Sequence, residues 1–494
     1  MKWDVLLPIF IYLFATFIIG IYLHKYLKKR KTDFQEEFFV GGRSLGPIVL
    51  AFTMLASAAS VGTFIGSPGM AYNVGFSWAL VTMTQVFMGV YILGILGKKF
   101  AIVARKINAV TLTDFLRERY KSHAVVIGSA LGIIIFIGAY MVAQFVGGAR
   151  ILEAITGLPY HVGLLIFGLT VVLYTAIGGF RAVAVTDAIQ GIMMIVGGVL
   201  LWIMFMLKTD GFSVLMSELA VKHPEMLTLP SEANITPLML FSYFFLLGIA
   251  CIGLPHASVR GMIYKDADSM HRAIIYSGII MGLFSIGFVT LGPVTKVLYP
   301  EMEVADMALP ILILDIMPGW IAGLILAAPL AAIMSTVDSM LLVTSSSIVK
   351  DLYLNYINPD ASDKKIAKLT YMTTLVIGVG VVLFSLTPPE YVQLIVLYAI
   401  GGLEATFFAP IVLGLYWKRA TGWGAIASMY SGLISYLVIA NWFPNPFGMH
   451  TIVTALTISI VAMVIVSLAT PKPSFDIIQK FWGKEGVSDK TIAS

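Results

Sequence analysis

The chain has 494 residues, of which 59% are apolar and 12% charged, with a mean hydropathy of +0.91 and a formal net charge of +5. Charged residues run at about half the quarter usual in soluble domains, which excludes a string of soluble domains and places the protein in a bilayer. The basic surplus is no nucleic-acid footprint, because Lys and Arg are confined to particular loops, and the single cysteine, Cys251, can form no internal disulfide.

A hydrocarbon core of about 30 Å takes roughly 20 apolar residues per helix. That ruler predicts about thirteen spans, at 5–24, 47–69, 76–97, 124–148, 161–179, 183–207, 237–258, 273–298, 320–348, 369–386, 391–417, 424–442 and 450–469. Such long apolar runs lack the alternation of a transmembrane barrel, so the fold class is an all-α integral membrane protein. The first span is followed by Lys25, Lys28, Lys29, Arg30 and Lys31 with no small-residue cleavage site, and reads as an uncleaved helix. Alternate loops divide the basic residues 27 to 5, which predicts an outside N-terminus and a cytoplasmic C-terminus in the cell membrane.

The chain divides into a first helix and loop (1–46), five spans (47–207), an outer loop (208–236), five more spans (237–419), two further spans (420–470) and a polar tail (471–494) read as solvated or loosely docked. No loop is long enough for a soluble domain, so function must sit among the helices. There is no phosphate-binding lysine loop, since Gly97-Lys98-Lys99 lacks the Ser or Thr and the glycine spacing, and no His-Glu-x-x-His or Gly-x-Gly-Asp is present. His256 and Ser258 are the only nearby nucleophile and base, and a spacing of two sets them apart on a helix. An enzyme is not expected, no cofactor is called for, and a channel or a secondary transporter remains, with the transporter preferred.

In the second span, Ala56-Ser57-Ala58-Ala59-Ser60-Val61-Gly62-Thr63 leads to Gly66-Ser67-Pro68-Gly69, and the break is expected at Gly66–Gly69. The seventh span carries Gly248, then Gly253-Leu254-Pro255-His256 with Arg260 beyond, again the mark of an interrupted helix. Each break opens a set of five spans, and because five is odd the second set enters from the opposite side, the pattern of an inverted-repeat transporter. The ninth span adds hydroxyls at Ser335, Thr336 and Ser339. Such hydroxyls can bond their own helix, but beside a broken helix they suit a hard monovalent cation such as sodium. Asp187, Asp338 and Glu404 are buried acids and candidates for function.

At these residues the sequence resembles the sodium:solute symporter family. The carriers are Gly41-Gly42-Arg43-Ser44-Leu45-Gly46-Pro47, Phe64-Ile65-Gly66, Gly178-Gly179-Phe180-Arg181-Ala182-Val183 with Thr186-Asp187, Pro255-His256, and Ala331–Thr336 with Asp351-Leu352-Tyr353. Longer strings, such as Gly94–Ile102, Asn108–Leu112, Gly147–Arg150 and Gly401–Ala405, are similar to the branch of that family that carries pantothenate. The resemblance implies a five-plus-five inverted repeat (a LeuT-like fold), sodium as coupling ion and symport by alternating access. It also implies a sodium site made of the carbonyls of Ala56, Ala59 and Ala332 and the hydroxyls of Ser335 and Thr336. Asp187 falls where the family has an acid on the ion's path to the cytoplasm, and Arg43 on a functionally sensitive arginine. Some relatives carry an acid in the sodium-binding turn where this chain has Ala58, so the ion's charge must be balanced elsewhere.

Pantothenate brings a carboxylate, an amide and two hydroxyls. Candidate lining residues are Ser60, Thr63, Tyr140, Gln144, Tyr243, His256 and Glu404, with Gly66 and Pro255 as flexing points and Asp338 in a supporting or packing role. Proline or a short monocarboxylate is the alternative substrate.

Overall fold

The computed structural model describes residues 3–27, 45–209, 211–228, 235–388 and 391–483, apart from the side chains of 16–17, 19–27, 56–58, 174 and 177–188. Arg43 therefore lies outside the described residues, as does the side chain of Asp187. Among the described residues the regular structure is helical, apart from one isolated bridge between Leu45 and Tyr264.

Among those residues nine helices are long and apolar enough to cross a membrane, and a tenth span is the bent pair Pro237–Gly253 and Pro255–Ile263, which meet at 56°. The expected thirteen differ from this count at three places. The first helix, Trp3–Leu27, has few described side chains beyond Ala15. The second span is interrupted, as described below. The stretches expected as separate spans at 161–179 and 183–207 share one helical element, Tyr160–Lys208, with no loop assigned at Arg181. Its 49 residues would run more than twice the thickness of the hydrocarbon core if straight, and its two parts meet different partners. Tyr160 donates to the Ser385 carbonyl and Gly168 faces Val382, whereas Gly191 faces Phe52 and Gly197 faces Ala328.

Span 9, Gly319–Ser346, is buried along nearly its whole length because small residues on it admit neighbours closely. Gly323 receives the Val5 carbonyl of the first helix, and the Ala328 methyl meets Gly197. Spans 2 and 7, both interrupted, lie between span 9 and span 11 (Val392–Tyr416). On one side Thr336 reaches Ala59 and Ser339 reaches Arg260. On the other, Gln393 presses on Gly62 and Gly66, and the backbone of Glu404 presses on Gly253.

The break in span 2 falls at Ala59–Ser60 and not at Gly66–Gly69. Helix Pro47–Ala58 ends at Ala59 in an extended conformation, a π-helical turn follows at Gly62–Gly66, and Ser67–Val74 continues from it. Pro68 lies just after that π-helical turn, where Gly66 and Ser67 keep right-handed helical angles and the Ser67 N–H donates to the Gly62 carbonyl, so the helical backbone runs on through the proline. In span 7, Gly248 leaves helical geometry (φ −103°, ψ −101°), a 3-10 turn spans Ile249–Gly253, and Pro255 starts a short new helix.

The described part of the tail, up to residue 483, is docked. Phe475–Trp482 is a helix that buries Phe481 against Phe115, with ring centroids 5.9 Å apart.

Candidate functional site

Breaking a helix inside a membrane frees backbone groups, and each must find a partner. At the span 2 break the Val61 N–H donates to Gln144 Oε1 (3.1 Å) and the Gly62 N–H to Ser60 Oγ (3.2 Å). The Ala59 carbonyl, turned out of the ladder by ψ 108°, lies 3.5 Å from Thr336 Oγ1. Thr336 and its neighbour Ser335 both donate to the Ala332 carbonyl, at 2.8 and 2.9 Å. The hydroxyls thus make the local bonds usual on a membrane helix and also stand beside the break. Ala56 lies in the last turn before it. Four of the five oxygens expected around sodium share this point of contact between spans 2 and 9. Among the described residues no group of three or more His, Cys, Asp or Glu is placed to hold a metal, so what gathers here is neutral oxygen.

Next to the break, a cavity is lined by Ser60, Thr63, Tyr140, His256, Gln393 and Glu404, together with Gln85, Met88, Cys251 and apolar residues of spans 7 and 11. Tyr140 Oη lies 3.3 Å from Ser60 Oγ, and the Tyr140 ring stands edge-on to His256, centroids 5.8 Å apart. The cavity volume is about 30 Å³, room for roughly two waters. Two expected lining residues do not line it. Gln144 is occupied with the Val61 amide, and Tyr243 packs on Trp78 and His450 at 5.3 and 5.6 Å. Gln85 and Gln393, two amides inside apolar runs that are not among the expected lining residues, join the wall instead.

A second cavity, also about 30 Å³, lies toward the side rich in Lys and Arg, lined by Val110–Thr113, Pro255, Arg260, Leu342, Ser346 and Asp351. Pro255 and His256, adjacent in span 7, thus face different cavities. Arg260 is buried and donates to the His256 carbonyl and to Ser339 Oγ (2.9 Å). Below it, Thr111 and Asp114 form a capping box on helix Leu112–Tyr120. Lys350 pairs with Asp114, and Thr111 donates to Asp351 (3.1 Å). Burial works against the Asp114 charge, but Lys350 and the Val110 N–H hold its carboxyl below the usual range. Asp338 accepts from Thr175, on the same helical element that carries Asp187.

The model of the sodium:solute symporter family matches residues 38–432. The chain belongs to the sodium:solute symporter family. It is 42% identical to the sodium/pantothenate symporter of Escherichia coli K12, over 94% of this chain and 96% of that one. The sodium/pantothenate symporter of Haemophilus influenzae is 38% identical over the same shares. The osmoregulated proline transporter OpuE of Bacillus subtilis is 32% identical over 96% of each chain. Among solved structures, a sodium-coupled sialic acid symporter in a substrate-bound outward-open state superposes with a TM-score of 0.80 at 22% identity, covering 95% of this chain and 99% of that one. The nucleobase-cation symporter Mhp1 superposes at 0.53 with 16% identity, covering 90% and 97%. The protein is therefore a multi-pass, sodium-coupled solute symporter, a secondary transporter and not an enzyme.

Proposed function

We propose that the protein imports pantothenate with sodium across the plasma membrane by alternating access. The observation that carries this reading is the 42% identity to a sodium/pantothenate symporter over nearly the whole of both chains. Sodium binds between the broken second span and span 9, held by the carbonyls of Ala56, Ala59 and Ala332 and the hydroxyls of Ser335 and Thr336. The substrate occupies the adjoining cavity and meets Ser60, Thr63, Tyr140, His256 and Glu404. Spans 2 to 6 and 7 to 11 form the two inverted repeats, the N-terminus is outside and the basic side is cytoplasmic. Asp187 lies on the ion's exit path, Arg43 supports the gate on the same side, and Asp338 braces span 9.

Because sodium sits where the two broken or hydroxyl-rich helices touch, its binding orders the wall of the substrate cavity. Each ligand then raises the affinity for the other by the same factor. One sodium with one carboxylate moves no net charge, so a membrane potential drives uptake only if a second cation travels with them.

The test is uptake of labelled pantothenate into proteoliposomes under an inward sodium gradient, set against potassium. Sodium-dependent accumulation supports the reading. Sodium-driven uptake of proline or a monocarboxylate without pantothenate would retain the family and overturn the substrate.

A further inference from the structure

Glu404 sits at the middle of span 11 and is 0% exposed. Neither of its carboxylate oxygens has a hydrogen-bond partner among the described residues, yet the side chain lines the central cavity. On its own helix the cavity wall continues as Val396 and Ile400, and the broken span 7 contributes Leu246, Leu247, Cys251 and Leu254. The helices are pressed together at this level, since a Cβ on Gly253 would lie 2.8 Å from Glu404 Cα and 3.1 Å from the Phe408 nitrogen. Among the described residues the titratable groups facing Glu404 are Cys251 and Tyr436, with His256 and Tyr140 lining the same cavity. None is an Arg or Lys that would pair with an ionised acid.

An ionised carboxylate that is buried, unpaired and without hydrogen bonds is far more costly than its neutral form. It would also oppose a carboxylate-bearing substrate entering the same small space. A sodium ion on Glu404 would need several further oxygens. The side chains of its nearest cavity neighbours in the chain, Val396 and Ile400, offer none, nor do those of Leu246, Leu247, Cys251 and Leu254 of span 7, while the hydroxyls of Ser60, Thr63 and Tyr140 belong to spans 2 and 4. A protonated carboxyl answers both objections, because it is neutral and adds one O–H donor to the cavity wall.

We propose that Glu404 carries its proton in the loaded cavity and recognises the substrate as a neutral acid, donating its O–H to a substrate oxygen. The substrate part of this inference rests on the pantothenate reading, whereas the proton part does not. Glu404 thereby selects for a guest that presents an acceptor at this depth, a carboxylate, carbonyl or hydroxyl oxygen.

The test is difference infrared spectroscopy on the purified full-length protein in lipid at neutral pH, comparing wild type with Glu404→Gln. A carboxylic-acid C=O band present in the wild type and missing from the variant is expected, and its absence from the wild type overturns the proposal. Adding pantothenate with sodium should shift that band; a band that stays still while the same preparation takes up pantothenate overturns the donor role. A preparation that takes up no pantothenate at all defeats the substrate reading instead, and the band alone then decides the proton. Binding gives a second readout: Glu404→Ala should weaken pantothenate by about tenfold or more. Glu404→Gln, which is neutral and keeps a donor, should weaken it much less, and Glu404→Lys most. Equal losses in the Ala and Gln variants overturn recognition through a neutral donor.

Discussion

Ser335 and Thr336 each donate to the Ala332 carbonyl, and Thr336 Oγ1 also lies 3.5 Å from the Ala59 carbonyl across the helix contact. Thr336→Ala and Ser335→Ala are each expected to raise the sodium concentration for half-maximal uptake severalfold, and the double variant by about tenfold or more. Sodium titration of uptake checks this, and an unchanged midpoint in the double variant would remove these hydroxyls from the ion site. A different kind of residue-scale effect belongs to Asp306, which lies outside the spans and accepts from the Val392 N–H at 2.9 Å. Burial pushes its carboxyl up to about 7, against the pull of the Val392 amide and Arg150, from 3.8 in an unfolded chain. Between those two values the folded protein holds a proton that the unfolded chain has released, so stability falls as pH rises through that window. Asp306→Asn keeps an acceptor oxygen and loses the titration. Its melting temperature is expected to decline less than that of the wild type between about pH 5 and about pH 8, and an equal decline would place the pH dependence elsewhere.

The broken element of span 2 depends on a side chain from span 4, because Gln144 accepts the Val61 N–H that the break exposes. Leaving that buried donor unpaired costs about 1–3 kcal/mol, which the chain can escape by rewinding the turn. Rewinding would return the Ala59 carbonyl to the helical ladder and away from Thr336. Gln144→Ala is accordingly expected to weaken sodium dependence severalfold although Gln144 touches neither ion nor cavity, and Gln144→Glu, which keeps the acceptor, should weaken it less. Identical sodium titrations for Gln144→Ala and wild type would mean that the break holds without it. The tail helix Phe475–Trp482 is an element of the same sort at the basic side. Arg119 donates to the Gly414 and Trp417 carbonyls at the end of span 11, and the rings of Phe481 and Trp482 cover its guanidinium at 5.7 and 5.2 Å. Phe481→Ala should lower thermal stability in detergent by about 3 kcal/mol and loosen the end of span 11, while a melting curve equal to wild type would reduce this helix to a surface attachment.

At the scale of the molecule, hydropathy and the distribution of Lys and Arg made the membrane class and the long helices legible, since the bilayer imposes a fixed length on an apolar run. The existence of both interruptions was also legible, from Gly and Pro placed inside such runs. The position of the span 2 break was not, because the helical backbone runs through Pro68 behind a π-helical turn and the partner that accepts the Val61 N–H beside the break is Gln144, 83 residues on in sequence. Likewise, hydroxyl-rich stretches pointed to Ser335 and Thr336, but nothing local in the sequence distinguishes Gln393, which lines the cavity, from Gln144, which does not.

Two cavities of about 30 Å³, one on each side of the Pro255–His256 turn, are each too small for a guest with pantothenate's carboxylate, amide and two hydroxyls. The helices around them must separate during transport, and the contact of Thr111 with Asp351 (3.1 Å) closes the basic side between helix Leu112–Tyr120 and the end of span 9. Thr111→Cys combined with Asp351→Cys, in a Cys251→Ala background, puts a thiol on each side of that closure, to be joined directly by oxidation or through a short reducible bifunctional thiol reagent. Cross-linking is expected to arrest sodium-driven uptake and reduction to restore it, while binding of substrate from the opposite side persists, because only one of the two alternating openings has been locked. Uptake that continues through complete cross-linking would show that these two elements travel as one body and that the exit opens elsewhere.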